Sequence, residues 1–258
     1  MSKIFITGSS DGLGLLAARS LVSKGHTVFL HARNEERARV AASGVPGAEK
    51  VLVGDFASME ETKRLAEKVN ALGPFDSVIH NAGIYEAAGA AKSRDGWPLI
   101  FAVNTLAPYL LTALISPPQR LIYLSSGLHR QGDARPDRLQ AIMKKASVPT
   151  YSDTKLHDLI LAVAVARLWP AVISNAVDPG WVPTKMGGKN APDDLDRGYE
   201  TQVWLASSDD PAALQSGRLL HHLREVSAHP QAGKEDIAEK FLEVCAKITG
   251  IPFPFSNH

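Results

Sequence analysis

Short runs of aliphatic and β-branched residues alternate along the chain with longer segments in which apolar positions recur at helical spacing. The short runs are apolar throughout, a pattern typical of strands that are covered on both faces of a parallel sheet. They predict strands at Lys3–Ile6, Thr27–Leu30, Lys50–Val53, Ser77–Ile79, Arg120–Leu124 and Val172–Val177. The longer segments predict helices at Gly12–Lys24, Asn34–Ser43, Ser58–Leu72, on both sides of Asn104, and at Tyr151–Trp169. This alternation predicts an α/β protein.

The order of the elements predicts a doubly wound parallel sheet, Rossmann-like, flanked by helices on both faces. No internal repeat, low-complexity tract or linker divides the chain, so residues 1–258 are interpreted as a single domain. Within it, about 184–200 is polar and rich in Gly and Pro, which predicts a mobile lid. Residues 229–258 are interpreted as a C-terminal extension with a helix. One face of that helix carries Ile237, Phe241, Leu242 and Cys245.

Composition and charge exclude several classes of protein. Lys and Arg number 28 against 27 Asp and Glu, a formal net charge of +1, so no overall field attracts nucleic acid or an anionic membrane. The longest apolar stretch, Leu159–Ala166, is far shorter than the ~20 residues of a membrane span. The single Cys245 excludes an internal disulfide and a thiolate metal site, and His80 has no partner at ligand spacing. We expect a cytoplasmic protein without bound metal, nucleic acid or membrane span.

A glycine-rich segment connects the first predicted strand to the first predicted helix. Glycines there allow a tight turn and a close approach of the backbone to a pyrophosphate, whose charge is favoured by free N–H groups at the helix N-terminus. An ordinary turn is the alternative interpretation. The residues predicted to bind a dinucleotide are Gly8, Ser10, Asp11, Gly12, Leu13 and Gly14.

The end of the second predicted strand indicates which dinucleotide to expect. In such folds a carboxylate at this position binds the ribose 2′-OH of NAD, whereas an arginine accommodates the 2′-phosphate of NADP. Arg33 stands there, with Arg37 and His31 as candidate helpers, and it predicts NADP(H) as the cofactor. The alternative is a solvated surface arginine, and the negative charge of Asp11 in the glycine segment argues in that direction.

A tyrosine and a lysine begin the helix that follows the fifth predicted strand. Tyr151 and Lys155 are four residues apart and therefore share one helix face. Ser126 follows the fifth strand, and Asn104 lies within an earlier helical stretch. Tyrosine and lysine at this spacing also occur by chance, and Asn104 is compatible with an amide that caps a helix irregularity. The position of the pair, downstream of the glycine segment and the serine, is what makes it informative.

These motifs resemble those of the short-chain dehydrogenase/reductase family over residues 3 to about 222, beginning with T-G-x-x-x-G-x-G at Thr7–Gly14. The resemblance implies a catalytic tetrad of Asn104, Ser126, Tyr151 and Lys155, with Tyr151 and Lys155 also beside the cofactor. Further cofactor contacts that it implies are Asp55 and Phe56 by the adenine, Asn81, Ala82 and Gly83 by the ribose, and Pro179, Gly180, Val182 and Thr184 by the nicotinamide.

The stretch between the serine and the tyrosine narrows the resemblance to the retinol-dehydrogenase-like branch. Ser126 and Tyr151 are 25 positions apart, wider than is usual in the family, and a short helix is predicted within Asp137–Met143. The helix that carries Asn104 ends early, at Ser116–Pro117–Pro118. Both features would obstruct the helix pairing that is common in the family, so we expect a monomer in preference to a homo-oligomer.

The resemblance implies hydride transfer between a nicotinamide and a carbonyl, with Tyr151 carrying the proton. A phenol has a pKa of about 10, so exchange near neutrality requires a fall of about 3 units, or ~4 kcal/mol. An ammonium ~4 Å away contributes about 4 kcal/mol at an effective dielectric near 20. Lys155 alone is therefore expected to be approximately sufficient.

The expected function is that of an NADP(H)-dependent oxidoreductase that interconverts a carbonyl and an alcohol. One alternative is a non-catalytic, dinucleotide-sensing regulatory protein, which has no need of Tyr151 or Ser126. A second is a nucleotide-sugar epimerase or dehydratase, which usually carries T-G-x-x-G-x-x-G and a longer C-terminal substrate domain than this chain shows.

Overall fold

The computed structural model of the protein describes residues 1–85 and 91–254. These residues form an eight-stranded sheet in the order β3-β2-β1-β4-β5-β6-β7-β8, and only the β7–β8 pair is antiparallel. The strands are β1 (Lys3–Ile6), β2 (Thr27–Ala32), β3 (Lys50–Val53), β4 (Ser77–His80), β5 (Arg120–Leu124), β6 (Ile173–Asp178), β7 (Leu219–His221) and β8 (Arg224–Glu225). The chain starts at the centre of the sheet and winds outwards in both directions, so the predicted doubly wound sheet is confirmed.

The edge hairpin of β7 and β8 has no clear signal in the sequence pattern. Its two turn residues, His222 and Leu223, have φ angles of 47° and 66°, a left-handed conformation usually taken by Asn and Gly in two-residue hairpins. The backbone N–H of Leu223 donates to the Thr201 hydroxyl at 3.0 Å, a tertiary contact that supports the turn. A prediction based on turn residues therefore misses this hairpin.

Nine α-helices lie within the described residues, and most coincide with the predicted ones to within two residues. They are α1 (Gly12–Ser23), α2 (Glu35–Gly44), α3 (Met59–Asn70), α4 (Leu99–Phe101), α5 (Ala107–Leu114), α6 (Pro136–Met143), α7 (Tyr151–Leu168), α8 (Leu195–Ser207) and α9 (Glu235–Thr249). Helix α8 begins inside the stretch predicted as a lid. The Asp194 carboxylate starts it by accepting hydrogen bonds from the backbone N–H groups of Asp196 (2.8 Å) and Arg197 (3.0 Å).

Both faces of the sheet are buried, as the uniformly apolar strands predict. Neighbouring residues of one strand serve opposite faces: Phe5 joins the core beneath α3, α5 and α7, whereas Ile4 and Ile6 join the core beneath α1 and α8. Helix α9 packs on α6 and α7, and residues 255–258 of the predicted extension lie outside the described residues. The residues predicted on its inner face are all buried: Ile237, Phe241, Leu242 and Cys245.

Parallel strands bring their carboxyl ends to one edge of the sheet, which is where doubly wound folds bind ligands. The segments that follow β1, β4, β5 and β6 meet at this edge, and they carry most of the predicted site residues. In the part of the chain that is described, none of the helices has both the length and the apolar character required to cross a membrane.

Candidate active site

The glycine segment between β1 and α1 packs tightly against the chain that follows β4. A Cβ atom at Gly8 would lie 2.7 Å from Cα of Ala82, and Gly8 has a φ angle of 62°. A Cβ atom at Gly14 would clash with the Asn81 side-chain amide and lie 2.6 Å from the Gly8 carbonyl oxygen. The packing of the loop itself therefore requires both glycines, before any ligand is considered.

Asn81 ties this loop to the carboxyl end of β4. Its Nδ2 donates hydrogen bonds to the carbonyl oxygens of Thr7 (2.9 Å) and Gly8 (3.1 Å). The backbone N–H groups of Asn81 and Ala82 both donate to the Thr7 hydroxyl at 3.0 Å. The segment Asn81–Gly83 thus joins two neighbouring strands at the point where the ligand-binding edge begins.

Asp11 holds a small cluster of charges at the start of α1. Its Oδ1 accepts the backbone N–H of Gly12 at 2.8 Å, and its Oδ2 lies 2.6 Å from Lys185 and 3.3 Å from Arg37. Burial raises the pKa of Asp11, but the Lys185 ammonium, the Gly12 N–H and the Arg37 guanidinium lower it further, so the net pKa is lowered. Because Lys185 comes from the loop after β6, the cluster joins the two sides of the candidate cleft. Ser10 and Leu13, on either side of Asp11 and Gly12, are half-buried.

His31 is buried and contacts the glycine segment through a hydrogen bond to its backbone. Its Nδ1 accepts the backbone N–H of Gly8 at 2.9 Å, its Nε2 lies 2.8 Å from the Gly54 carbonyl oxygen, and its ring stacks on Phe56 at 4.4 Å. Burial lowers the pKa of His31 to about 4, so the ring is neutral at physiological pH. The interpretation of His31 as a helper for a phosphate is therefore wrong, because both ring nitrogens are already engaged.

Arg33 and Asp55 lie at the ends of β2 and β3, where an adenosine would be expected. Arg33 is exposed, whereas its neighbour Arg37 is held by the Asp11 cluster. The Asp55 carboxylate accepts the backbone N–H of Ala57 at 3.0 Å and pairs with Arg94 at 3.3 Å. The two predicted residues therefore differ in exposure: Asp55 is half-buried at the surface, whereas Phe56 is buried.

Helix α7 starts at Tyr151 because of a capping box that the sequence analysis misses. The Thr150 hydroxyl accepts the backbone N–H of Asp153 at 3.1 Å, and the Asp153 carboxylate accepts the backbone N–H of Thr150 at 2.8 Å. The signal was present as T-x-x-D, a variant of the usual S/T-x-x-E pattern. The same carboxylate pairs with Arg138 of α6 at 2.8 Å, which links the inserted helix to the start of α7.

Lys155 is buried, and its ammonium is held in place on two sides. Nζ donates to the carbonyl oxygen of Leu124 at 2.7 Å and to Oδ2 of Asp158 at 2.8 Å. It lies 5.7 Å from the centre of the Tyr151 ring, and Gly83 is beside it across the cleft. The structure therefore brings Tyr151 and Lys155 together as predicted, and adds a carboxylate that the sequence analysis does not include.

The pKa of Tyr151 differs from the sequence-based expectation. Burial raises this pKa, the Lys155 ammonium and the Ser126 hydroxyl oppose the rise, and the Asp158 carboxylate and Tyr85 add to it, so that the net pKa is raised. Lys155 alone is therefore insufficient to bring the phenol near neutrality, and that expectation is wrong. The main reason is burial of the phenol, and the nearby Asp158 carboxylate adds to it by opposing the charge of the lysine.

Asn104 lies in a π-helical turn, Ala102–Leu106, between α4 and α5. Pro108 lacks the N–H group that would bond to the Asn104 carbonyl in a regular helix, and the turn widens there. The side chain of Asn104 accepts the backbone N–H of Ile84 (2.9 Å) and donates to the Ile84 carbonyl (2.9 Å) and the Thr154 hydroxyl (3.1 Å). Asn104 thus lies within a helix irregularity, and its side chain connects the loop after β4 to α7.

The two serines after β5 have separate roles. Ser125 is buried and donates to the Lys155 carbonyl oxygen at 2.8 Å, which anchors α7 to the sheet. Ser126 is half-buried, and its hydroxyl accepts the backbone N–H of Leu128 at 3.2 Å at the start of a 3₁₀ turn, Gly127–Gln131. The hydroxyl near Tyr151 is therefore that of Ser126, as the resemblance implies.

The loop after β6 closes the other side of the cleft. Gly180 donates its backbone N–H to the Asp178 carboxylate at 3.1 Å, and Val182 is buried. The Thr184 side chain faces Gly12 of the glycine segment. A cleft of about 670 Å³ lies between this loop and α1, and its lining includes Asp11, Gly12, Pro183, Thr184 and Lys185. Of the predicted cofactor-binding residues, Asp11, Gly12 and Thr184 therefore line one cleft.

Two residues beside the tetrad are absent from the sequence interpretation. Tyr85 packs edge-on against the Tyr151 ring with centroids 4.8 Å apart and is half exposed. Asp158 shares the face of α7 with Tyr151 and Lys155, since positions i, i+4 and i+7 coincide on a helix. That spacing is the signal that could have identified Asp158. Within the described residues, no group of three or more His, Cys, Asp or Glu side chains is arranged to hold a metal ion.

Comparisons with known proteins agree with this geometry. The family model for short chain dehydrogenase matches residues 2–127. The chain is 48% identical to an uncharacterized oxidoreductase of Emericella nidulans, over 98% of this chain and 99% of that protein. It is 40% identical to the short-chain dehydrogenase chyC of Penicillium rubens, over 98% of this chain and 100% of that protein. Human retinol dehydrogenase 14 is 28% identical over 96% of this chain and 86% of its own, in keeping with the branch that the sequence suggests.

Solved structures show the same fold. An uncharacterized protein from Mycobacterium paratuberculosis matches with a TM-score of 0.79 and 22% identity, over 98% of this chain and 95% of that one. A blue fluorescent protein from a metagenomic library, solved in complex with NADPH, matches with a TM-score of 0.68 and 21% identity, over 85% and 95%.

Proposed function

Since the chain belongs to the short-chain dehydrogenase/reductase family and is an oxidoreductase, we propose that it interconverts a carbonyl and an alcohol with NADP(H) as cofactor and Tyr151 as general acid/base. The observation that carries this proposal is the convergence of Ser126, Tyr151 and Lys155 next to the segment Asn81–Gly83, against which the glycine segment packs. The family and the geometry both support this class of reaction.

The residues of the cleft fit a dinucleotide. The start of α1 offers backbone N–H groups to a pyrophosphate, and the absence of side chains at Gly8 and Gly14 lets the loop pack closely. Exposed Arg33 would pair with a ribose 2′-phosphate, and Asp55 would face the adenine. Asn81, Ala82, Gly83 and the segment Pro179–Thr184 would line the ribose and the nicotinamide. The NADPH complex of the metagenomic blue fluorescent protein supports this assignment by analogy of fold.

When bound, the nicotinamide supplies a hydride to the carbonyl carbon, or accepts one from the alcohol. Tyr151 donates its phenolic proton to the carbonyl oxygen as negative charge develops there, which yields the alcohol and leaves a tyrosinate. Ser126 donates a hydrogen bond that orients the same oxygen. The Lys155 ammonium stabilises the tyrosinate and has one N–H left for the ribose hydroxyls, because two are used by Leu124 and Asp158.

A small-molecule substrate is the only partner that this proposal requires. A monomeric state stays a prediction: α5 ends at Leu114, and α6 occupies the region after β5, as the sequence suggests. The mobile lid at about 184–200 and a cytoplasmic location also stay predictions. In the structure, the loop part of that lid precedes Leu195, where α8 begins.

The test is to follow NADPH absorbance with a panel of ketones, aldehydes, quinones and steroids, for the wild type and for Tyr151→Phe. Turnover should fall at least about a thousandfold, within the range for loss of a general acid, while NADPH binding stays nearly unchanged. Tyr199→Phe, on α8, is the matched control and should retain activity. Activity of Tyr151→Phe above a tenth of wild type would refute the proposal. Cofactor binding without turnover of any substrate would favour the dinucleotide-sensing alternative.

A further inference from the structure

A buried ion pair on α7 lies next to the proposed proton donor. Lys155 and Asp158 are separated by one helical turn, with Nζ 2.8 Å from Oδ2, and both side chains are only 5% exposed. Tyr151 is one turn earlier on the same face. Ion pairs at this spacing are common on helix surfaces, but burial of both partners is costly and occurs only with good compensation. The usual role of such pairs at a solvated helix surface therefore does not explain why this pair is buried.

The hydrogen bonds of Lys155 leave it little freedom. An ammonium has three N–H donors, and here one is donated to the Leu124 carbonyl and one to the Asp158 carboxylate. These contacts anchor Nζ between β5 and α7 and leave one donor unused, on an ammonium that lies beside Gly83. Without Asp158, the buried ammonium would keep only a neutral acceptor. Asp158 therefore helps to fix the position of the Lys155 ammonium and reduces the effect of its charge on neighbouring groups.

The electrostatic consequence is visible in three pKa values. Burial lowers the pKa of Lys155, but the Asp158 carboxylate and, to a smaller extent, Tyr151 together outweigh this, and the net pKa of Lys155 is raised. Burial raises the pKa of Asp158 to about 6, with Lys155 limiting the rise, so the carboxylate is ionised at neutral pH. The pKa of Tyr151 is raised by burial, lowered in part by Lys155 and raised again by Asp158. Lys155 and Asp158 therefore act on the pKa of the phenol in opposite directions.

No other charged side chain is needed to account for this balance. The groups that face the pair from neighbouring elements are the Tyr123 phenol on β5, whose pKa burial raises, and Tyr85 after β4, which packs on the Tyr151 ring. His80 of β4 stacks on Tyr123, and burial lowers its pKa to about 3, so it is neutral. Among these neighbours, Lys155 and Asp158 are the charged groups at neutral pH.

We propose that Asp158 is a positioning residue whose buried carboxylate anchors the Lys155 ammonium and opposes its effect on the Tyr151 phenol, so that the phenol stays protonated, and carbonyl reduction continues, to a higher pH than with Lys155 unopposed. This inference rests on the proposed function of Tyr151. A protonated phenol is the form that donates to a carbonyl oxygen, whereas oxidation requires the tyrosinate as base.

The experiment measures the ionisation of Tyr151 directly, from tyrosinate absorbance during a pH titration of the cofactor-free enzyme. Subtracting the titration of Tyr151→Phe isolates the signal of this one phenol. In the wild type we expect a midpoint at or above the ordinary phenol value of about 10. In Asp158→Asn, which removes the charge and keeps the shape, the midpoint should fall by about one pH unit. The fall in kcat/KM for carbonyl reduction at high pH should move by the same amount.

Asp153→Asn is the matched control, because Asp153 is also buried on α7 and paired with a cation, at 2.8 Å from Arg138. It should lower stability through the loss of the ion pair with Arg138 and leave the Tyr151 midpoint unchanged. An Asp158→Asn midpoint equal to that of the wild type, or an equal shift in both variants, overturns the proposal. If Asp158→Asn does not fold, the wild-type titration decides, and a midpoint below about pH 8 overturns the proposal.

The absorbance titration also separates this inference from the proposed function. If Tyr151→Phe keeps its turnover, Tyr151 is not the proton carrier, whatever midpoint the wild-type phenol shows. A wild type that fails to reduce any carbonyl still reports the effect of Asp158 on the phenol, and a midpoint that is unaffected by Asp158→Asn refutes the inference even when turnover is normal.

Discussion

Two groups of charges flank the candidate cleft, and they differ mainly in burial. Lys155 and Asp158 lie 2.8 Å apart beneath the cleft, with side chains 5% exposed. Asp11 lies 2.6 Å from Lys185 and 3.3 Å from Arg37 at its rim, with 35% of the Asp11 side chain and 78% of the Lys185 side chain exposed. The separations are similar, so distance does not distinguish the two groups.

The difference shows that burial decides what an ion pair does. At the rim, water and salt screen the charges, and such pairs contribute about 0–1 kcal/mol. Beneath the cleft, screening is weak, and removal of one partner leaves an unpaired buried charge at a cost of about 3–5 kcal/mol. The rim cluster connects two loops, whereas the buried pair is able to influence the proton affinity of Tyr151.

The largest expected effect comes from breaking the buried pair. Lys155→Met keeps much of the side-chain volume but leaves Asp158 unpaired, and the free energy of unfolding at neutral pH should fall by about 3–5 kcal/mol. Turnover should be lost as well. Urea unfolding of the wild type and the variant measures the first effect. Lys185→Met, at the rim, is the matched control and should cost at most about 1 kcal/mol.

The pH dependence of the stability lost in Lys155→Met shows what causes the loss. The pKa of Asp158 in the folded protein is raised by burial, above its unfolded value, so the folded state binds the extra proton. The stability linked to this group is complete below the unfolded pKa of about 4 and is lost as the pH rises through the folded value, about 6 or higher once Lys155 is absent. The deficit should therefore shrink as the pH falls towards 4. A deficit independent of pH would mean that lost packing, and not the unpaired carboxylate, is responsible.

An intermediate effect is expected at the adenosine end. Arg33→Ser should reduce the preference for NADP(H) over NAD(H) roughly ten- to a hundredfold, because charge-assisted hydrogen bonds contribute about 1.5–3 kcal/mol. Dissociation constants of both cofactors measure the change. Arg39→Ser, an exposed arginine of α2, is the matched control and should leave the ratio unchanged. Equal weakening of both cofactors, or a wild type that binds them equally, would reduce Arg33 to a surface residue.

The smallest effect is expected at the rim cluster. Asn is as good an N-cap as Asp, so Asp11→Asn removes the charge and keeps the hydrogen bond to Gly12. Because the pKa of Asp11 is lowered, its contribution to stability is present above the unfolded pKa of about 4 and is lost as the pH falls through the lower folded value. At neutral pH the variant should lose at most about 1 kcal/mol, and the loss should vanish in about 1 M salt. A larger or salt-independent loss would show that the cluster is effectively buried.

Much of the fold was determined by local pattern. The bounds of β1, β3 and β5 agree with the predicted strands, because each contains a run of consecutive apolar residues that packs into the sheet. The glycine segment and the Tyr151–Lys155 pair were recognisable because turns and helices impose fixed spacings on the residues that form them. The edge hairpin and α8 were missed because their ends depend on tertiary hydrogen bonds and on polar residues that are typical of loops.

What the sequence by itself determined is the arrangement of elements and the identity of the chemical groups at the carboxyl edge of the sheet. Only the tertiary structure decided how those groups behave. His31 is two residues before Arg33 in the sequence, but its ring is buried and both of its nitrogens are hydrogen-bonded. Asp158 is one turn beyond Lys155 and offsets its charge because both are enclosed by β5 and α7. Spacing along a helix indicates which side chains can meet, whereas the effect of a charge depends on how much water the surrounding fold excludes.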